Sequence, residues 1–175
     1  MNLPNKLTML RILLIPVYIW AFLTDRFMIA MAVFIIASVT DTFDGMIARK
    51  YNLVTNFGKI MDPLADKILV YTAFVLMVPN PVKGWMMVVI LAREFTVSGI
   101  RTIAAANGIV IAAGMSGKLK TVFQMFAVPF ILVSLAYPEA TVIGTIAMIL
   151  LYCSLVLTVY SGAEYVIKNR EVFKG

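Results

Sequence analysis

The sequence predicts an all-α, polytopic membrane protein with six transmembrane helices and a short N-terminal interfacial helix. Three observations carry that expectation. Of 175 residues, 62% are hydrophobic and only 14% are charged, where soluble domains carry roughly a quarter charged; mean hydropathy is +0.95. The chain divides into six apolar runs, each of about 20 residues, the length that a hydrocarbon core of roughly 30 Å requires. Most charged residues stand in the turns or near the ends of those runs. One membrane domain over residues 1–175 accommodates this pattern without a separate soluble domain. The opening shows no charged, apolar and cleavage regions in succession, so no removable signal peptide is expected.

In chain order, residues 2–11 read N-L-P-N-K-L-T-M-L-R. Asn2 can cap a helix with Pro4 in its first turn, which gives a short interfacial helix leading into span one, about 10–24, with a kink expected at Pro16. Asp25 and Arg26 mark a tight turn. Span two, about 27–48, is apolar until Ser38 and ends in Asp41 and Asp44. A polar loop is expected over 50–58, then span three, about 60–78, with an early Pro63. Pro79, Asn80, Pro81 and Gly84 form the next turn. Span four, about 85–105, carries Arg93, Glu94 and Arg101; a small-residue connection follows from Asn107 to Gly117. Span five, about 117–136, begins with Lys118 and Lys120. After a turn at Tyr137, Pro138 and Glu139, span six covers about 141–166 and leads into a basic tail.

The chemistry concentrates in residues 41–66, which hold four of the nine acidic residues. Asp41 and Asp44 stand three apart and Asp62 and Asp66 four apart, so on helices each pair shares a face. Two helices presenting two carboxylates each can close around divalent cations, and an all-oxygen donor set suits magnesium or manganese. Gly45 leaves room for close approach, Ala48 continues that small surface, and Arg49 is placed to grip a phosphate. The plainer alternative is that these acids pair with Arg49, Lys50, Lys59 and Lys67; the spacing of all four, with two glycines around them, speaks against it. The chain has no histidine, so a general base near neutral pH falls to carboxylate, lysine, tyrosine or the lone Cys153. A single cysteine excludes an intrachain disulfide and a thiolate cluster; Cys153 and the twelve methionines read as packing residues.

The pattern D-x2-D-G-x2-A-R-x8-G-x3-D-x3-D is met without substitution by Asp41, Asp44, Gly45, Ala48, Arg49, Gly58, Asp62 and Asp66. It resembles the signature of the CDP-alcohol phosphotransferases, membrane enzymes that move a phosphatidyl or similar group from a CDP-linked donor to an alcohol. The resemblance implies two divalent cations, Mg2+ or Mn2+, held by the four aspartates, with Asp66 also the general base. It implies a CDP-diacylglycerol site shaped by Asp41, Gly45, Ala48, Arg49 and Gly58. Family members often open with a similar N-terminal segment, so Asn5, Thr8 and Arg11 are further donor-headgroup candidates; a helix cap with a basic membrane anchor explains them equally. A homodimer is expected from the family, and no nucleic-acid partner.

A second, basic group decides the expected acceptor. Arg93 and Arg101, about two turns apart, point toward one end of span four, and Lys118 and Lys120 open the next span. Together they can form a pocket for a phosphorylated alcohol. The alternatives are snorkelling of Lys118 and Lys120, and pairing of Arg93 with Glu94 or Glu164. Residues 91–101 and 116–121, with the N-terminal segment, are similar to family members that use glycerol 3-phosphate. Inositol phosphate or phosphatidylglycerol as acceptor is the runner-up. A small cation transporter and a non-catalytic scaffold packed on small residues such as Ala104 and Gly108 belong to other classes. The transporter leaves the one-sided clustering of the acids unexplained, and the scaffold their spacing.

Topology follows from the basic residues. Lys6, Arg11, Arg49, Lys50, Lys59, Arg101, Lys118, Lys120, Lys168, Arg170 and Lys174 fall on one side, against Arg26 and Lys83 on the other. The positive-inside rule then places both termini and the aspartates at the cytoplasmic face of a bacterial cell membrane.

Overall fold

The fold is given by a computed structural model that describes residues 3–50, 56–109, 111–112 and 114–170, with the side chains of 7–40, 61–62, 64–109, 111–112 and 114–170. Six helices follow in order: α1 Leu3–Leu23, α2 Phe27–Lys50, α3 Asn56–Leu76, α4 Gly84–Ala106, α5 Met115–Ala136 and α6 Thr141–Lys168. Among the described residues there is no strand. The all-helical expectation therefore holds, and α2 to α6 each coincide with one apolar run to within a few residues. α5 and α6 are each long and apolar enough to cross a membrane.

Two boundaries differ from expectation. α1 is helical from Leu3 through Pro16 to Leu23, so the polar opening and the apolar run are one helix rather than two. α3 begins at Asn56 and takes Gly58 into its first turn; a glycine costs a helix only about 1 kcal/mol, which packing of the following turns offsets.

By packing, the chain forms two units: Met1–Met77 with Val128–Ala147, and Val78–Ala127 with Met148–Gly175. In the first, α1 packs on α2 and α3, and α2 touches α3. Ala21, Ala30, Ala37, Ala65 and Ala73 are fully buried there, small enough to let helix backbones approach closely. Tyr18 fills the space between them, its ring 6.3 Å from Phe22 and 6.2 Å from Phe34. The α1–α2 turn lies where the sequence puts it: Asp25 adopts φ +56, a left-handed conformation that Asp tolerates, and the Arg26 amide bonds back to the Ala21 carbonyl.

In the second unit, α4 buries Met86, Met87, Ile90, Glu94, Val97, Ile100 and Ala104. That is the stripe a 3.6-residue helix turns toward its neighbours, with one carboxylate in it. Val97 and Ile100 pack with Tyr165 of α6, and Ile111 and Val166 close around them. α4 ends in a Schellman motif: the Gly108 amide bonds to Ala105 O at 3.1 Å and the Ile109 amide to Ala104 O at 2.8 Å. Gly108 takes the left-handed position, φ +72, that this cap requires.

The distribution of side chains suits lipid rather than water. Leu13, Leu23, Val88, Phe95, Val142 and Val156 are each more than 60% exposed, while Thr8, Arg11, Glu94, Lys120, Gln124, Ser154, Thr158 and Ser161 are buried. Polar groups in a bilayer protein face its interior, where they meet one another. The buried hydroxyls of α6 do so locally: Ser154 donates to Leu151 O and Thr158 to Ser154 O.

Candidate active site

The acidic motif sits in the first unit. Asp41, Asp44, Gly45, Ala48 and Arg49 fall on the last turns of α2, and Gly58 on the first turn of α3. Their side chains, and that of Asn5, lie outside the described residues. Asp62 and Asp66 are one turn apart on α3 and both half-buried. They share a stripe with the fully buried Ala65 and Leu69, so the inward phase of α3 carries the carboxylates.

α1 supplies a group that holds one of them. Thr8 is fully buried and its Oγ1 donates to Asp62 Oδ1 at 2.5 Å. Arg11, three residues on and on the same side of α1, is also fully buried. The N-terminal segment thus gives the motif a side-chain contact: Thr8 hydrogen-bonds one of its acids. As donors, Asp62 and Asp66 offer only oxygen, which fits a hard divalent cation. Among the described residues no three acidic, cysteine or histidine side chains converge; only two of the four aspartates have described side chains.

The basic group sits in the second unit. Arg93 Nη1 donates to Glu94 Oε1 at 2.7 Å, and Lys120 Nζ donates to the same oxygen. Glu94 is 8% exposed and Lys120 3%, so this is a buried cluster of two cations on one carboxylate. Such a cluster persists only where the charges meet each other. Arg101 lies toward α6: its Nε donates to Tyr165 Oη at 3.1 Å and its guanidinium carbon stands 5.5 Å from the ring. Arg93 reaches α6 one turn earlier, at Gly162.

Three of the four expected basic residues thus occupy buried or α6-facing positions. Lys118 is exposed, because two residues along a helix differ by about 200° and Lys120 takes the inward phase. Glu164, considered as a partner for Arg93, instead accepts from Ser116 and Lys168, each at 2.5 Å. The residue that sequence reasoning undervalued is Glu94. Its signal was the helical phase it shares with Ile90 and Val97.

With this geometry in hand, comparison with known proteins decides the family. The family model described as CDP-alcohol phosphatidyltransferase matches residues 1–160. The chain belongs to that family. Among curated relatives, the CDP-diacylglycerol–glycerol-3-phosphate 3-phosphatidyltransferase of Bacillus subtilis is 42% identical, over 99% of this chain and 97% of that protein. The Rickettsia felis protein of the same name is 39% identical over 94% of this chain and 93% of its own. A probable phosphatidylglycerophosphate synthase of Mycobacterium tuberculosis is 36% identical over 94% of this chain and 80% of its own length. This phosphatidyltransferase therefore aligns with its relatives across both of its packing units.

Proposed function

We propose that this phosphatidyltransferase moves the phosphatidyl group of CDP-diacylglycerol onto glycerol 3-phosphate, forming phosphatidylglycerophosphate and CMP. One observation carries the reading. The eight-position aspartate pattern is complete, on two helices that touch, in a chain that aligns from end to end with proteins bearing that name.

Enzymes of this family generally use divalent metal ions. Asp41, Asp44, Asp62 and Asp66 would hold two of them, Mg2+ or Mn2+, whose bound charge offsets that of the diphosphate and polarises its phosphorus. The remaining chemistry falls to the chain. Asp66 accepts the proton of the acceptor's 1-hydroxyl; that oxygen bonds to the β-phosphorus as the bond to CMP breaks. Gly45, Ala48, Arg49 and Gly58 shape the cytidine and diphosphate pocket, and Asn5, Thr8 and Arg11 contribute to holding the donor headgroup. Thr8 keeps Asp62 in place. Arg93 and Lys120 hold the acceptor's phosphate, with Arg101 and Lys118 adding positive charge nearby. A neutral alcohol such as serine, choline or ethanolamine has no use for buried cations, which favours a phosphorylated acceptor.

The same reading extends to the setting. All six helices span the membrane in a single domain, the first turns of α1 lie in the interface, and both termini face the cytoplasm of a bacterial cell, as the basic residues direct. The protein acts as a homodimer.

The test is CMP release from CDP-diacylglycerol by purified protein with magnesium or manganese, offering glycerol 3-phosphate, inositol phosphate or phosphatidylglycerol. Release with glycerol 3-phosphate alone is expected. Release with another acceptor would keep the aspartate chemistry and discard this acceptor.

A further inference from the structure

The shape of the space around Arg93 says how its guanidinium is placed. A Cβ added at Gly117 of α5 would stand 2.9 Å from Arg93 Nη2, and one at Gly162 of α6 would stand 3.0 Å from Arg93 Cγ. Both contacts are tight, one at the tip of the side chain, which a methyl at Gly117 would displace, and one at its stem. The third constraint is Glu94 Oε1, which takes Nη1 and also Lys120 Nζ. Gly117 lies one turn before Lys120 on α5, so the notch and the lysine share a face. Held at stem, tip and one nitrogen, the guanidinium has little freedom, yet its Nε is buried and makes no hydrogen bond. A buried donor left without a partner in a closely fitted setting marks a place for an acceptor group.

We propose that Gly117, Gly162 and Glu94 are positioning residues that fix Arg93 beside Lys120 at the separation a phosphate monoester bridges. The proposal rests on the reading of Arg93 and Lys120 as acceptor-phosphate residues. Glu94 holds two like charges close together; the glycine notches fix the orientation of the guanidinium, and Arg recognises phosphate through a planar fork of donors. The device selects acceptors that carry a phosphate and leaves the donor site untouched.

The experiment measures initial rates of CMP release by the full-length protein in lipid nanodiscs for wild type, Gly117→Ala, Arg93→Lys and the double variant. The atom that a Gly117 methyl displaces is the far end of a flexible side chain, so the helices stay packed and Tm holds while the guanidinium moves. Gly117→Ala is expected to raise the KM for glycerol 3-phosphate about tenfold, the loss of one charge-assisted contact, with kcat within about threefold and the CDP-diacylglycerol KM unchanged. Lysine has no Nη2 to displace, so adding Gly117→Ala to Arg93→Lys should change that KM by less than about twofold, the non-additivity of two changes acting on one atom. An unchanged glycerol 3-phosphate KM in Gly117→Ala would overturn the assignment. So would a full further rise in the Arg93→Lys background, or a joint rise of both KM values with a lowered Tm. A wild-type protein that releases no CMP with glycerol 3-phosphate would instead overturn the function proposed above, and this assignment with it.

Discussion

The two chemical regions of this phosphatidyltransferase are built in opposite ways. Around Asp62 and Asp66 the carboxylates come from one helix at one-turn spacing, and a hydroxyl from α1 holds one of them. Around Glu94 a single carboxylate gathers cations from α4 and α5 against glycines of α5 and α6. The first region is written as a spacing; the second exists only once three helices have packed. The lesson is that short-range periodicity reveals chemistry arrayed along a helix, whereas chemistry assembled across helices is legible only as a set of unexplained charges. Breaking each region should therefore fail differently, one in turnover and the other in stability or acceptor affinity.

The largest effect is expected at Asp66. Asp66→Asn removes the proposed proton acceptor without changing size, and general-base catalysis is worth about 10²–10⁴ in rate. CMP release should fall by about that factor, while binding of CDP-diacylglycerol, measured by calorimetry, persists. Retained activity would remove Asp66 from the chemistry and leave the region a metal site alone.

Glu94→Ala tests the other region. It leaves two buried cations facing each other, and breaking a buried pair by removing one partner costs about 3–5 kcal/mol. Thermal unfolding in detergent should shift strongly downward. Restoring much of the lost stability with the second substitution Lys120→Met would show that unpaired charge, not lost packing, is the cause. No shift on Glu94→Ala would mean that the two cations find other partners and that Glu94 does not organise them.

Thr8→Ala divides the regions most cleanly. Outer partners of metal-binding groups contribute about 10–100-fold in metal affinity, so Mn2+ binding followed by electron paramagnetic resonance should weaken by about that factor. The glycerol 3-phosphate KM at saturating metal should not move. Thr8→Ser keeps the hydroxyl and should restore most of the affinity; failure of that rescue would assign Thr8 to packing.

Much of the fold was legible. Asp25–Arg26, Pro79–Pro81 and Tyr137–Glu139 punctuate the chain as turn residues do, and the helices begin and end beside them. The short helix expected to lead into span one is continuous with it: Leu7, Met9 and Leu10 continue the apolar character of α1 upstream, and Pro4 sits in its first turns, where a missing amide costs nothing. The aspartate pairs were readable because i,i+3 and i,i+4 spacing survives any packing of the helices. Glu94 was not, because a carboxylate beside an arginine in sequence reads as a local pair, and Lys120 stands far along the chain. Gly117 and Gly162 carried no signal of their own; a glycine states what it admits only after its neighbour is in place.

The smallest effect concerns the turn that ends α4. Gly108 holds φ +72, where a Cβ costs about 1–2 kcal/mol. No atom lies within 4 Å of a Cβ added there, so Gly108→Ala strains the backbone without a clash. It should lower stability by about 1 kcal/mol, read as a small fall in Tm. The donor and metal sites proposed on α1, α2 and α3 should be unaffected. If the α4–α5 turn sets the phase at which Gly117 and Lys120 meet Arg93, the glycerol 3-phosphate KM should rise slightly in the same variant. A fall in Tm with both KM values unchanged would show that packing of Val97, Ile100 and Tyr165 alone holds the basic cluster together. The turn would then be a cap and nothing more.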